Sequence, residues 1–251
     1  MRFDAEKGII IAGHRGNPAE FTENTLESFK SAVDLGVDMI ETDIHTTKDG
    51  KLVLMHDDSA ERTACDPRLL RDMTFEEVRT LRVGKEQAFV PTLEELLSLF
   101  SDHSTLLFNL EIKVYSHVEG IEAVQYTVDK TVELCRKYGV CNRVLFNSFD
   151  AYVLEYIHKK YGREFLIHGY YPFSTMENVV IDPLNYLDYA CFWMPVESAK
   201  SAIDFLWEKG IAPCTSLEDV TVEEFCKYAR MGCAMFTEND PKLKLEWRKK
   251  L

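Results

Sequence analysis

Three acidic residues lie in otherwise apolar, strand-like segments of the chain. Glu41 and Asp43 are two residues apart, so on a strand both side chains point to one face. Glu111, in a later segment of the same kind, could complete a cup of three carboxylates. Adjacent carboxylates repel one another unless a cation lies between them, and oxygen ligands suit Mg2+, Ca2+ or Mn2+ better than zinc. We therefore expect a divalent-cation site here, although solvated surface carboxylates are the commoner arrangement.

Two histidines follow strand-like segments and could perform acid–base catalysis beside that cation. His14 follows the apolar run 9–13. His56 ends the return strand of a hairpin with its turn at 48–50, which brings it approximately opposite Asp43. Two histidines flanking a metal-bound phosphoryl group can act as base and acid at neutral pH. A lone histidine at a strand end is more often structural, so the prediction depends on the pair.

Arg15 and Lys113 supply positive charge next to these residues, as binding of a phosphate requires. For Arg15, a salt bridge to a neighbouring carboxylate is an equally good interpretation. The formal net charge of the whole chain is -13, which repels nucleic-acid backbones and anionic membranes. We expect a small-molecule phosphodiester as substrate, with no nucleic acid and no stable membrane association; the oligomeric state stays open.

Strand-like and helix-like segments must position these groups, and they alternate almost to the end of the chain. Eight strands separated by helices favour a (β/α)8 TIM barrel, in which the active site lies at the carboxyl ends of the strands. An open doubly wound sheet is the second choice. The predicted strands are 9–13, 37–44, 106–112, 143–147, 164–168, 189–193, 211–214 and 234–237, with the hairpin return at 52–55.

Helical spacing and capping signals predict the segments between the strands. Thr74 with Glu77, and Thr92 with Glu95, have the spacing of a capping box. Other predicted helices follow Leu26, span about 119–138, 150–161, 198–209 and 221–231, and include a helix-compatible stretch after Ser174. The less regular region at about 57–91 is interpreted as a small insertion after the second strand of a single domain covering 1–251.

Seven cysteines, an odd number without Cys-x-x-Cys spacing, indicate reduced thiols in a cytosolic protein. The charged residues among 1–7 precede an apolar run too short for a signal peptide, and no apolar stretch approaches the roughly 20 residues of a membrane span. We therefore expect a cytoplasmic location.

In this order, these residues resemble the glycerophosphodiester phosphodiesterase family. Any one motif is weak, but the ordered set is specific and covers about the first 150 residues. The matching motifs are His14-Arg15-Gly16, Glu23-Asn24-Thr25, Glu41-x-Asp43, Thr47-Lys48-Asp49-Gly50, His56-Asp57, Pro91-Thr92-Leu93, Glu111-Ile112-Lys113 and Ser148-Phe149.

The resemblance implies a (β/α)8 barrel that hydrolyses glycerophosphodiesters to sn-glycerol 3-phosphate and an alcohol. It implies that the three carboxylates bind a divalent cation, usually Mg2+ or Ca2+. His14 and His56 would be the acid–base pair, and Arg15 and Lys113 would engage phosphate or metal. The nucleophile could be water, or the glycerol 2-hydroxyl by way of a cyclic phosphate.

The second half departs from the family pattern. Residues 213–216 read Pro-Cys-Thr-Ser where the family often has Trp-Thr-Val-Asn, and 237–241 contain one residue more than the usual Thr-Asp-x-Pro. The missing Trp leaves the alcohol group of the substrate open. Two alternatives therefore stay under consideration, a cyclising phospholipase D-type lyase acting on lysophospholipids and a non-catalytic barrel that binds phosphate esters.

Overall fold

Eight parallel strands of the computed structural model, which describes residues 8–173, 175–216 and 220–251, close into a barrel. The strands are β1 (Ile10–Gly13), β2 (Met39–Thr46), β3 (Leu52–Leu54), β4 (Ser59–Ala60), β5 (Asp66–Leu69), β6 (Leu107–Ile112), β7 (Val144–Asn147), β8 (Leu166–Tyr170), β9 (Tyr189–Cys191), β10 (Ala212–Thr215) and β11 (Met235–Glu238). The barrel order is β1-β11-β10-β9-β8-β7-β6-β2, and a β1–β2 pairing closes it. The predicted (β/α)8 barrel is confirmed, and the open sheet is excluded.

The helices follow the strands as the alternation predicts. They are α1 (Leu26–Leu35), α2 (Glu61–Ala64), α3 (Phe75–Thr80), α4 (Leu93–Phe100), α5 (Ile121–Lys137), α6 (Ala151–Tyr161), α7 (Val196–Glu208), α8 (Val222–Met231) and α9 (Pro241–Arg248), with 3-10 turns at Leu70–Asp72, Cys141–Arg143 and Pro183–Asn185. Thr74 and Thr92 begin α3 and α4 with complete capping boxes, as their spacing predicts.

The strands separate two layers of apolar side chains. The outer layer lies between strands and helices and contains Phe108, Phe146 and Phe236. The inner layer fills the bottom of the barrel with Ile10, Ala12, Met39, Leu145, Leu166, Tyr189, Ala212, Cys214 and Met235. Because side chains alternate along a strand, every second residue after this inner layer also points into the barrel. The same face therefore carries His14 on the chain after β1, Glu41 and Asp43 on β2, and Glu111 on β6.

Strand β3 is a short strand that extends the barrel wall beside the end of β2. It pairs antiparallel with the end of β2, where Ile44 lies opposite Leu54. β1 pairs with the beginning of β2, at Met39 and Ile40, and β6 occupies the other edge. β1 and β3 therefore share one edge of β2 and run toward each other, which directs the chain after β3 back to the end of β1.

The region at 57–91 contains β4, α2, β5 and α3 and has a small apolar core. Its buried side chains Leu70, Met73 and Val78 cluster with Val53 and Met55 of the hairpin. The insertion therefore packs on the same β3 strand whose end carries His56.

The helix predicted after Ser174 is wrong; Ser174 itself lies outside the described residues. From 175 to 188 the chain is irregular apart from one 3-10 turn. Glu155 accepts hydrogen bonds from the amides of Val180 and Ile181 (3.0 and 2.6 Å), and these bonds hold that part of the loop outside a helix. Conversely, α9 was not predicted, although Asp240-Pro241 is a typical helix start. None of the described helices is long and apolar enough to cross a membrane.

Candidate active site

Glu41, Asp43 and Glu111 meet at the carboxyl end of the barrel. Asp43 and Glu111 are direct partners in the parallel pairing of β2 with β6, and Glu41 lies one inward-facing position deeper. All three are buried, and one oxygen atom of each lies within 4.8 Å of the others. The structure thus brings the three predicted ligands together.

The cup carries negative charge that the surrounding side chains only partly balance. Burial, together with Asp43 and Glu111, raises the pKa of Glu41 well above its usual value. Burial also raises the pKa of Glu111, although Lys113 opposes the rise. Among the described residues, Glu41 Oε1, Asp43 Oδ1 and Glu111 Oε1 have no hydrogen-bond partner, though Lys113 lies close to the last two. These oxygens fit the requirements of a divalent cation.

Lys113 lies inside the cup and is almost fully buried. Its Nζ is 3.2 Å from Asp43 Oδ1 and 2.6 Å from Glu111 Oε1. Burial disfavours the ammonium, but the two carboxylates outweigh this effect and raise the pKa of Lys113. Burial likewise raises the pKa of Asp43, and here Lys113 and Arg15 outweigh it and hold that pKa below its usual value. Lys113 and Asp43 are therefore both charged at neutral pH.

Arg15 is held in a sharp turn directly after β1. Its backbone is left-handed, with φ at 56°, and its amide donates to Glu41 Oε2 at 2.9 Å. The guanidinium contacts Asp43 (3.4 Å) and Glu23 (3.1 Å), so the salt-bridge interpretation holds, and the side chain also lines the cavity. Gly16 follows with φ at 93°, where a Cβ atom would collide with Ser28.

His14 turns one ring nitrogen toward a neutral partner. Its Nδ1–H donates to Asn239 Oδ1 at 2.7 Å, which leaves Nε2 as the acceptor of the neutral ring, 4.0 Å from Glu41. Burial, followed by the charge of Arg15, lowers the pKa of His14. Asn239 belongs to the segment 237–241, where this chain has one residue more than the family pattern.

His56 belongs instead to a chain of charged groups. Its Nδ1–H donates to Asp57 at 2.7 Å, and Asp57 accepts from Arg62 of the insertion at 2.7 Å. Burial raises the pKa of Asp57, but Arg62 and His56 together outweigh it and lower that pKa to about 2. Arg62 also contacts Glu23 (2.6 Å), which in turn pairs with Arg15. The insertion is thereby connected to both histidine-bearing segments.

The two histidines, Glu41 and Glu111 line one cavity of about 390 Å³ together with side chains of the barrel interior. At the carboxyl ends of β7, β8 and β9, its wall is aromatic. The rings of Phe149 and Tyr170 stack at 3.7 Å, and Trp193 lies nearly parallel to both, 5.8 and 5.2 Å away. The Tyr170 hydroxyl donates to Glu111 at 3.2 Å. We call Phe149, Tyr170 and Trp193 the aromatic wall.

The structure brings together all seven site residues that the sequence predicts. Several of the side chains that contact them were not predicted. Asn24, matched only as part of a motif, donates to Asp43 (2.8 Å) and accepts from Thr42 (2.7 Å), which fixes the carboxylate. Its sequence signal was its place in Glu23-Asn24-Thr25. Asn239 had no comparable signal, because it stands alone in its segment. Tyr170 and Trp193 lie near predicted strand ends and could line a pocket, but core packing was at least as good an interpretation from the sequence.

Solved structures share this fold closely. A glycerophosphodiester phosphodiesterase from Agrobacterium tumefaciens superimposes with a TM-score of 0.79 over 96% of this chain and 99% of its own, at 19% identity. A phosphodiesterase from Oleispira antarctica, in complex with the product sn-glycerol-3-phosphate, gives 0.79 over 96% and 97% at 20% identity. At such identities the likeness establishes the fold alone.

The relatives found by sequence have higher identity to this chain than these two structures have. A glycerophosphodiester phosphodiesterase from Caldanaerobacter subterraneus is 36% identical over 159 residues, which is 61% of this chain and 63% of the relative. One from Bacillus altitudinis is 34% identical over 159 residues, covering 59% and 61%. The matches thus span less than two thirds of these relatives. The sequence pattern of the glycerophosphoryl diester phosphodiesterase family matches residues 14–185, which is more than half of the chain. The chain belongs to this family.

Proposed function

We propose that the protein hydrolyses glycerophosphodiesters to sn-glycerol 3-phosphate and an alcohol with the help of a divalent cation. The observation that carries the proposal is a cluster of three buried carboxylates, two of which line one cavity together with two histidines. The names of the sequence relatives, and the product bound to the Oleispira protein, support this substrate class.

Glu41, Asp43 and Glu111 would hold the cation, and their oxygen atoms suit Mg2+ or Ca2+, with Mn2+ a third choice. When bound, the ion supplies Lewis-acid stabilisation of the charge that develops on the phosphoryl oxygens. Arg15 and Lys113, both lining the cavity, bind the remaining phosphate oxygens. Their contacts with Asp43 hold them in position before substrate arrives.

Each of the two histidines performs one of the two proton transfers. His14 is the base: its Nδ1–H is fixed by Asn239, so Nε2 can accept a proton from the attacking water as the new P–O bond forms. His56 is the acid: an imidazolium there lies against the carboxylate of Asp57, and it protonates the alkoxide as the P–O bond to the alcohol breaks. Water and phosphodiester thus give a phosphomonoester and a free alcohol.

The proposal extends to the domain organisation of the protein, its location and its partners. We propose a single domain over 1–251 that acts in the cytoplasm on a small molecule. The formal net charge of -13 disfavours nucleic acid and stable association with anionic membranes, and all seven cysteines are free, in keeping with a reducing compartment.

The test is to incubate the pure protein with glycerophosphocholine and glycerophosphoethanolamine, adding Mg2+, Ca2+ or Mn2+, with and without EDTA. We expect metal-dependent release of sn-glycerol 3-phosphate that EDTA abolishes. The Glu41→Gln variant should lose this activity and also the rise in melting temperature that the cation gives the wild type, since a bound ligand stabilises the folded state.

Two outcomes would contradict the proposal. A cyclic phosphate that accumulates without hydrolysis would identify a lyase instead. Absence of turnover with every cation, while phosphate esters still bind, would indicate a non-catalytic barrel.

A further inference from the structure

Two polar side chains deep in the barrel have no partner for any of their polar atoms within the part of the chain that the structure describes. Asn109 on β6 is 1% exposed and His168 on β8 is 3% exposed. Neither the amide of Asn109 nor either ring nitrogen of His168 has a hydrogen-bond partner among the described residues. Because leaving such groups unpaired in the interior is costly, a ligand or water is expected to complete them.

Both side chains line the same cavity as Glu41 and Glu111, at a deeper level than Glu111. Asn109 precedes Glu111 by two residues on β6, and His168 precedes Tyr170 by two on β8, which is about 7 Å along a strand. Asn147 lies between these strands: it pairs with Glu111 on one side and His168 on the other. Its Oδ1 also has no partner among the described residues. We call Asn109, Asn147 and His168 the cavity floor.

The cavity floor carries no charge. Burial lowers the pKa of His168 to about 3, so its ring is neutral at physiological pH. A neutral imidazole has one donor and one acceptor, and the Asn109 amide donates through Nδ2 and accepts through Oδ1, while Asn147 Oδ1 only accepts. A hydroxyl group likewise donates and accepts, so two hydroxyls match this set. An anion does not, because two of these atoms are amide oxygens and the carboxylate of Glu41 lies at the level of Asn109.

We propose that the cavity floor binds the two hydroxyl groups of the substrate's glycerol moiety, and that Asn109 and His168 determine selectivity for a polyol at this end. The inference rests on the proposed function, in which the phosphate lies at the cup above. The other alcohol of the diester then points toward the open side, where Trp193 of the aromatic wall is 55% exposed. Water occupies the cavity floor before substrate binds, and the hydroxyls displace it.

Two phosphate monoesters with the same carbon chain test this directly. sn-Glycerol 3-phosphate and propyl phosphate differ only in the two hydroxyls, so their affinities for the Mg2+-loaded protein isolate the contribution of the cavity floor. By calorimetry we expect the wild type to bind sn-glycerol 3-phosphate about tenfold or more tightly than propyl phosphate. Asn109→Leu and His168→Leu should each remove most of this preference and leave the affinity for propyl phosphate unchanged.

Cys191→Ala provides a matched control, because Cys191 also lines the cavity and is buried but is not part of the cavity floor. It should retain the preference of the wild type. Equal affinity of the wild type for both ligands would overturn the inference while leaving the phosphate site of the proposed function intact. Binding of neither ligand to the metal-loaded wild type would overturn both.

Melting temperature separates a binding role from a structural one. Replacing either side chain by leucine breaks no hydrogen bond among the described residues, so both leucine variants should melt close to the temperature of the wild type. A marked fall in melting temperature, together with parallel loss of affinity for both esters, would show that these residues serve the fold.

Discussion

The two halves of the barrel contribute different kinds of side chain to one cavity. The half formed by β1, β2 and β6 contributes charged groups, and each is held by several others: Asp43 alone contacts Asn24, Lys113 and Arg15. The half formed by β8 to β11 contributes neutral and aromatic groups, among them the exposed Trp193 and His168, which has no hydrogen-bond partner among the described residues. The charged groups are therefore held in place without substrate, whereas the neutral groups, with Asn109 of β6 among them, are left for a ligand to complete.

This difference corresponds to two tasks. Proton transfer and phosphate binding need fixed charges, and fixing them requires residues at set spacings, which is why they occur as short motifs. Discrimination among alcohols needs only a surface of suitable shape and polarity, which single residues from separate strands can provide. Variants of the charged residues should therefore affect turnover, and variants of the neutral residues, including Asn109 on β6, should affect the choice of substrate.

The largest expected effect is in the first half. His14→Ala and His56→Ala should each lower kcat by about 10²–10⁴-fold, because each removes one partner of the proton transfers. Circular dichroism and melting temperature should remain close to wild type, as should activity in His103→Ala, whose exposed histidine is not among the cavity-lining residues. Rates near wild type in either site variant would remove the acid–base assignment.

A smaller effect tests whether the insertion serves the charged half. Arg62→Gln should lower kcat about tenfold, because Arg62 holds Asp57, which orients His56. Arg68→Gln is the matched control: Arg68 belongs to the same insertion, is likewise 49% exposed and pairs with Asp66.

Both arginine variants should lose little stability, since exposed ion pairs contribute about 0–1 kcal/mol. Steady-state kinetics and thermal melts on the two proteins give the answer. Equal kcat in both would mean that the chain from Arg62 to His56 has no role in catalysis.

The smallest effect is expected at the aromatic wall. Trp193→Ala should change KM by a few-fold, to different extents for glycerophosphocholine and glycerophosphoethanolamine, and leave kcat nearly constant, because it removes contact with the departing alcohol only. Phe89→Ala, at a ring 50% exposed in the insertion, should change neither constant. A fall in kcat for Trp193→Ala with both substrates would contradict the expectation that this residue affects the choice of substrate and not turnover.

The sequence predicted the charged half well and the neutral half poorly, for a physical reason. Glu41 and Asp43 share a strand face by their spacing alone, and the turn at 48–50 already returns His56 to them. Asn239 meets His14 only because β11 closes the barrel against β1, and no local pattern reports such closure. The helix-compatible stretch predicted after Ser174 falls in irregular chain, because helix-compatible spacing does not reveal that Glu155 binds the amides of Val180 and Ile181.

The shared edge of β2 also determines where the chain can change in length. His56 reaches the cavity because β3 pairs with β2 in one register, and a slip of one residue would turn every side chain of β3 to the opposite face. Insertions or deletions in the turn at 47–51 are therefore selected against. Beyond Arg62 the insertion packs on β3 through buried apolar side chains, but its turn at 85–87 is exposed. A change of length in that turn would leave the register of β3 on β2 unaltered, so lineages of this fold should diverge in the size of the insertion and keep a hairpin turn of constant length.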